Sequence, residues 1–240
     1  MILIAVCSAK GGSARTTTCV RLAQALNAAR IPTGIVDLSP YPSVQFMLAP
    51  GDAIPVIGGR AATTPIAARS IVRPYEERCS CLLIDTSRLD DPAILPWLPL
   101  MNHFLVTMKI DKNSVRAMPS IWDSFDTWKA INPELKFLGF LPTCVEPSQQ
   151  AVVRGLRNRM EEHFLPVAIP RNDVERLGPE LVTRGAEWDT LAAHLRQRAS
   201  LKQILPEPAR NTEKGLVTRM WKLAASVLGP KVSVVTEAAR

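Results

Sequence analysis

Apolar residues recur along the chain in two rhythms. Short, mostly apolar runs stand at 2–7, 33–37, 81–85, 103–108, 137–141 and 165–169. Runs of this length read as strands, and their lack of alternation predicts burial on both faces, as in a parallel sheet. Between them lie stretches with apolar residues at helical spacing. Val20, Leu22, Ala23, Leu26 and Ala29 predict a helix directly after the first strand. Residues 65–78 predict another, with Ile66, Ile71 and Val72 inward and Pro74 interrupting it. Helices are also predicted over 113–131, with a kink or late start at Pro119, and over 148–164 and 187–205. Pro40, Pro42, Pro50 and Pro55 predict an irregular excursion with at most a short helix around 44–48. Residues 51–63, carrying Gly51, Gly58 and Gly59, read as an exposed loop. After the break at Pro206-Glu207-Pro208, an apolar stripe from Leu216 to Leu228 predicts a last helix.

Strands alternating with helices predict an α/β fold. The expectation is a mostly parallel twisted sheet with helices on both faces, right-handed crossovers and extra C-terminal helices. Its 240 residues suit one main domain, 1–205, with 206–240 as a helix and tail packed on or appended to it. No internal repeat or low-complexity segment is evident.

The turn after the first strand carries the chemistry. It reads Ser8-Ala9-Lys10-Gly11-Gly12-Ser13-Ala14-Arg15-Thr16-Thr17. A strand, a glycine-containing turn and a helix N-terminus together favour phosphate, because free N–H groups and the helix dipole point at the ligand. Gly11 and Gly12 admit backbone conformations closed to other residues. Lys10 and Arg15 add positive charge. Thr16 and Thr17 place hydroxyls within reach of Mg²⁺ or a phosphate oxygen. The strict pattern G-x-x-x-x-G-K-[ST] does not match, since Ala9, Ala14 and Arg15 stand at its glycines and lysine. Asp37 and Asp85 close the second and third predicted strands. Ligands of open α/β sheets sit outside that end of the strands, so both carboxylates should face the turn.

The turn resembles the deviant Walker A loop of the ParA/MinD family, K-G-G-x-G-K-T-T. Lys10, Gly11, Gly12, Thr16 and Thr17 match, while Ala14 and Arg15 depart. The family's D-x-D-P is Asp37-Leu38-Ser39-Pro40 here, with Ser39 at the second acid. The run ending in Asp85 is similar to a Walker B strand. The family's I-P-R-[ND] segment is matched by Ile169-Pro170-Arg171-Asn172, followed by Gly185. The resemblance covers about residues 1–200. It implies ATP and Mg²⁺ as cofactors, and a homodimer facing itself across two nucleotides. Nucleotide would be bound by Lys10, Gly11, Gly12, Ser13, Ala14, Arg15, Thr16 and Thr17, with Pro170, Arg171 and Asn172 against the base. Thr16, Asp37 and Asp85 would serve the metal, and Lys10 and Asp37 would act in catalysis. Arg for Lys is not a conservative exchange in a tight loop, and Ser39 removes a carboxylate that orients water in the family. Nucleotide binding with weak hydrolysis is therefore expected.

Composition changes this picture in two ways. The net charge is +7, which makes a polyanionic partner plausible. The resemblance points to nonspecific DNA and a ParB-like or other adaptor, as in plasmid or chromosome partition. Arg154, Arg157, Arg159, Arg184 and Arg196 are the candidate DNA contacts. The alternative is a non-enzymatic positioning scaffold at a membrane complex, like the MinD-related proteins of cellulose secretion. Membrane contact through the last helix is the weaker expectation. No apolar run reaches the length of a membrane span, and no secretory signal is evident, so a cytoplasmic protein, nucleoid- or pole-associated, is expected. The five cysteines include no C-x-x-C pair and the three histidines are scattered, which argues for inert thiols and against a metal cluster. A dinucleotide oxidoreductase would need G-x-G-x-x-G, which is missing.

Overall fold

A computed structural model describes residues 1–203 except Ala9, Pro42, Pro50, Ser87 and 176–184. In chain order the elements are β1 (Ile2–Cys7), α1 (Arg15–Ala28), β2 (Thr33–Asp37), α2 (Ser43–Met47), β3 (Val56–Gly58) and α3 (Pro65–Val72). Then come β4 (Cys81–Asp85), β5 (His103–Lys109), α4 (Lys112–Arg116), α5 (Met118–Ile131) and β6 (Lys136–Thr143). The series ends with α6 (Gln150–Arg159), α7 (Arg171–Glu175) and α8 (Ala186–Arg198).

The six strands form one sheet in the order β3-β2-β4-β1-β5-β6. Every pairing is parallel. The two sides of the sheet bury alternate residues. Ile4, Val6, Ile35, Leu83, Leu105 and Leu141 share a core with Leu22 and Leu26 of α1 and Trp188, Leu191 and Leu195 of α8. Leu3, Ala5, Val36, Leu82, Ile84, Phe104 and Val106 share the other with α3, α5 and Trp97. This double burial is why the strands read as continuous apolar runs. β1 lies between β4 and β5, so the turn that follows it leaves from the middle of the sheet.

Three local readings are corrected. Residues 165–169 do not form the sixth strand. Leu165, Val167 and Ile169 are buried and the Leu165 and Ile169 amides donate to the Phe140 and Pro142 carbonyls, but Phe140↔Phe164 and Val145↔Pro170 are isolated bridges only, and Pro166 has no N–H to give a ladder. The sixth strand is β3, inside the stretch expected to be an exposed loop. Ile57 and Ala62 are buried there. At Gly59 a Cβ would lie 2.4 Å from Val36 Cγ1 and 2.7 Å from Trp97, so only glycine fits under that ring. Ile66, expected inward, is 80% exposed, because α3 starts at Pro65 and turns Ala68 and Val72 to the core instead.

Other boundaries shift in expected directions. The 113–131 helix divides into α4 and α5, with Pro119 in the first turn of α5. The 65–78 helix stops at Val72 and continues as a 3-10 turn through Pro74. Pro92–Leu100 forms a 3-10 stretch that buries Trp97 completely. The predicted last helix lies outside the described residues.

Candidate functional site

The C-terminal ends of β1, β2, β4, β5 and β6 converge on the turn between β1 and α1. Two residues of that turn hold a left-handed backbone: Gly12 at φ 73° and Ala14 at φ 58°. Ala14 is the N-cap of α1 and makes no side-chain cap. The hydroxyls of Ser13 and Ser8 both donate to the Lys10 carbonyl, at 2.8 and 3.0 Å. Thr143 Oγ1, at the end of β6, donates to the Ser13 carbonyl at 3.1 Å. The amides of the first turn of α1 have no helical acceptor ahead of them, which leaves donors and a positive dipole end facing the turn. Gly11 is exposed with open space around its Cβ position, so of the two adjacent glycines only Gly12 is required by conformation.

Arg15 does not extend toward solvent. Its Nη1 donates to Ser8 Oγ at 3.2 Å. Its Nε lies 3.8 Å from Asp85 Oδ1. Asp85 is fully buried, and its other oxygen accepts a 2.7 Å hydrogen bond from Thr16 Oγ1. Burial pushes the Asp85 carboxyl up to about 6, opposed by the Thr16 hydrogen bond and the Arg15 charge. Asp37 is the cross-strand register partner of Asp85. Its Oδ1 accepts from the Ser39 amide at 2.8 Å and from the Ser39 hydroxyl, and its Oδ2 accepts from the Val44 amide at 3.3 Å. Asp37 therefore braces the 38–44 turn as well as facing the site.

The remaining polar groups come from β5 and its extension. Lys10 Nζ is 4.0 Å from Asp111 Oδ2, a pair largely open to solvent. Asp111 also caps α4 through the Ser114 amide, and this hydrogen bond holds its carboxyl below the usual range, with help from Lys10. Lys109 Nζ stands 3.7 Å from where a Cβ on Gly12 would lie. Thr17 is buried. Pro170, Arg171 and Asn172 line an open cleft of about 630 Å³ with residues 145–148 and Gln150. Arg171 Nη2 bridges it to Glu146 Oε1 at 2.9 Å.

The structure thus brings Arg15, Thr16, Asp37 and Asp85 to one place and sets 170–172 at a separate cleft. The candidate DNA contacts are scattered. Arg154 and Arg159 on α6 are exposed, and Arg196 on α8 is exposed and donates to Gln203. Arg157 is turned partly inward, with Nε and Nη2 buried and unpaired, and burial lowers its pKa. Arg184 lies outside the described residues. Sequence reasoning passed over Lys109, Asp111 and Thr143. The strand-end rule that found Asp37 and Asp85 would have found them had it been applied to β5 and β6.

The five cysteines are all buried. Among the described residues there is no metal-holding group of three or more His, Cys, Asp or Glu side chains, and no helix long and apolar enough to cross a membrane.

A parallel sheet of this order, a phosphate-type turn on its central strand and two acids on neighbouring strand ends define a nucleotide-binding α/β domain of the P-loop kind. More narrowly, the chain belongs to the CobQ/CobB/MinD/ParA nucleotide binding domain family, whose model matches residues 4–178. Among solved structures it is similar to cobyrinic acid a,c-diamide synthase from Mycobacterium smegmatis with bound ATP analog and magnesium. That match has TM-score 0.68 and 20% identity over 85% of this chain and 98% of that one. It is also similar to pNOB8 ParA bound to nonspecific DNA, with TM-score 0.62 and 14% identity over 84% of this chain and 99% of that one. The septum site-determining protein MinD of Pyrococcus horikoshii, complexed with Mg-ADP, matches with TM-score 0.56 and 13% identity, over 85% and 99% of the two chains. No curated protein matches the chain.

Proposed function

We propose that this protein is an ATP-binding switch of the ParA kind, acting as a nucleotide-dependent homodimer in the partition or positioning of DNA, with slow hydrolysis. The observation that carries the reading is the Thr16 hydroxyl set 2.7 Å from the Asp85 carboxylate beneath the phosphate-type turn. Asp85 Oδ1 is buried with no hydrogen-bond partner and faces the Arg15 guanidinium only at 3.8 Å, which leaves its lone pairs open to a cation. Thr16 and Asp85 would hold Mg²⁺, with Asp37 on the neighbouring strand end, and the ion would neutralise phosphate charge. Lys10, on the exposed rim of the turn, is free to exchange Asp111 for the phosphates of a second protomer, because exposed ion pairs of this kind are weak. The cleft at 170–172 would receive the base.

Slow hydrolysis is supported by Ser39. Its hydroxyl is taken up by Asp37, Ser43 and the Tyr41 carbonyl, which leaves no carboxylate at that position to orient water. The basic charge and the similarity to a DNA-bound ParA favour a DNA partner, with Arg154, Arg159 and Arg196 as exposed contacts. An adaptor protein would then trigger release.

The test is equilibrium binding of ATP with Mg²⁺, combined with phosphate release measured with and without DNA. Binding to DNA should fall steeply with salt. Binding of ATP with slow release, stimulated by DNA or adaptor, is the expected result. Nucleotide-bound dimers that ignore DNA at low salt would instead favour the positioning scaffold. A chain that binds no nucleotide would overturn the proposal.

A further inference from the structure

The loop pattern assigns a lysine to the position of Arg15, and that lysine's task is to reach the terminal phosphates. Arg15 is committed elsewhere. Its guanidinium is tied to Ser8 and faces Asp85, and its side chain is only 18% exposed. The cation that does stand over the turn comes from a different strand. Lys109 is the last residue of β5, which pairs directly with β1. Its ammonium lies 3.7 Å from the Cβ position of Gly12, the residue whose left-handed backbone shapes the turn. Lys109 is half-buried, and its ammonium has no hydrogen bond or ion pair among the described residues. The nearest acid along the chain, Asp111, is paired with Lys10 instead. A partly desolvated ammonium without an anion is unfavourable alone and favourable once an anion arrives.

We propose that Lys109 is the phosphate-binding lysine of this site, holding the terminal phosphates of a nucleotide seated on residues 10–16, while Arg15 serves as the fixed partner of Asp85. The two cationic tasks at this site are divided between the start of α1 and the end of β5. Gly12 is part of the arrangement through its left-handed φ, and a methyl group there would only just touch the ammonium.

The assignment rests on the proposed nucleotide reading, and the experiment separates the two. ATP and inorganic tripolyphosphate are titrated into the wild type and Lys109→Gln. Ligand-free thermal midpoints are recorded for both. The expected result is a loss of about tenfold to a hundredfold for each ligand in Lys109→Gln, as for a charge-assisted hydrogen bond, with an unchanged ligand-free midpoint. Lys109→Cys should show the same loss and regain affinity after alkylation with bromoethylamine, which rebuilds an ammonium of similar reach. The native thiols are buried and should not react. A wild type that binds ATP and a Lys109→Gln that binds it equally would overturn the role of Lys109 alone. A loss that alkylation does not reverse would overturn it too. A wild type that binds neither ligand would overturn the site reading, and Lys109 with it.

Discussion

Arg15 Nε stands 3.8 Å from Asp85 Oδ1, and neither atom makes a hydrogen bond. The two are an ion pair held by field rather than by contact. The carboxylate is buried between β1 and β2 at the end of β4, and the guanidinium is its nearest countercharge. Removing one partner of a buried pair costs more than the pair contributes, since it strands the other charge. Arg15→Gln should therefore destabilise the protein by about 1–3 kcal/mol at pH 7.5, given the absent hydrogen bond. Asp85→Asn in the same background should return most of that loss. Denaturant unfolding of the four proteins in a double-mutant cycle measures it, and an additive result would mean that the two groups do not couple.

The same carboxylate sets a pH dependence. Burial raises the Asp85 carboxyl from 3.8 to about 6, so between these values the folded state holds a proton that the unfolded state has lost. Stability from this group is thus highest at low pH and declines as pH rises to about 6, by about 3 kcal/mol in all. Asp85→Asn removes the decline. Its stability relative to the wild type should improve steadily from pH 4 to pH 6.5 and level off above. A relative stability that is flat with pH would contradict the raised carboxyl.

Ala14 holds φ 58° with a methyl group attached. A left-handed backbone costs a non-glycine residue about 1–2 kcal/mol, whereas glycine adds roughly 0.4–1 kcal/mol of unfolded-state entropy. Ala14→Gly should therefore leave stability unchanged or raise it by up to about 1 kcal/mol, against the loss usual for this exchange at a helix. Urea unfolding checks this, and a loss above 1 kcal/mol would show that the strain is not there.

Ser39 sits beside Asp37 with its hydroxyl turned toward that carboxylate. Ser39→Asp adds a second carboxylate at the strand end. Positioned bases typically contribute about 10²–10⁴-fold, so a gain in ATP turnover of at least about tenfold is expected from an imperfectly placed one. Like charges near Asp37 should lower stability slightly. Phosphate release at saturating ATP reads the gain, and unchanged turnover would mean that water is oriented by other groups.

Burial raises the thiols of Cys19 and Cys81 far above the ordinary range and that of Cys7 to about 12. The native protein should give well under one equivalent of reaction with an aromatic disulfide at pH 8, and five after unfolding. Rapid reaction of one thiol in the folded state would contradict the buried placement.

Much of the site was legible because its acids close apolar runs. Asp37 and Asp85 were found by position alone, and the register pairs them. The β1 turn was legible from Gly12 and the threonines. What Arg15 faces was not, since a side chain's direction depends on Ser8 and Asp85, brought together only by the sheet. The edge strand β3 was missed for a local reason. It is three residues long, follows Pro55 and runs into Gly58-Gly59, a composition that reads as loop. The opposite error arose at 165–169, where Leu165, Val167 and Ile169 are buried but hydrogen-bond beside β6 only at Leu165 and Ile169, without a continuous ladder. Hydrophobicity reports burial there and says nothing of hydrogen bonding.

The hydroxyl of Thr143 reaches the Ser13 carbonyl across 130 positions of sequence. On the ribosome, the turn, α1, Asp37 and Asp85 are all synthesised well before the strand that ties the turn in place. Closing so large a loop is slow compared with forming local helices. The turn therefore gains this tether only after β6 has been made, and its final setting joins the first strand of the chain to the sixth.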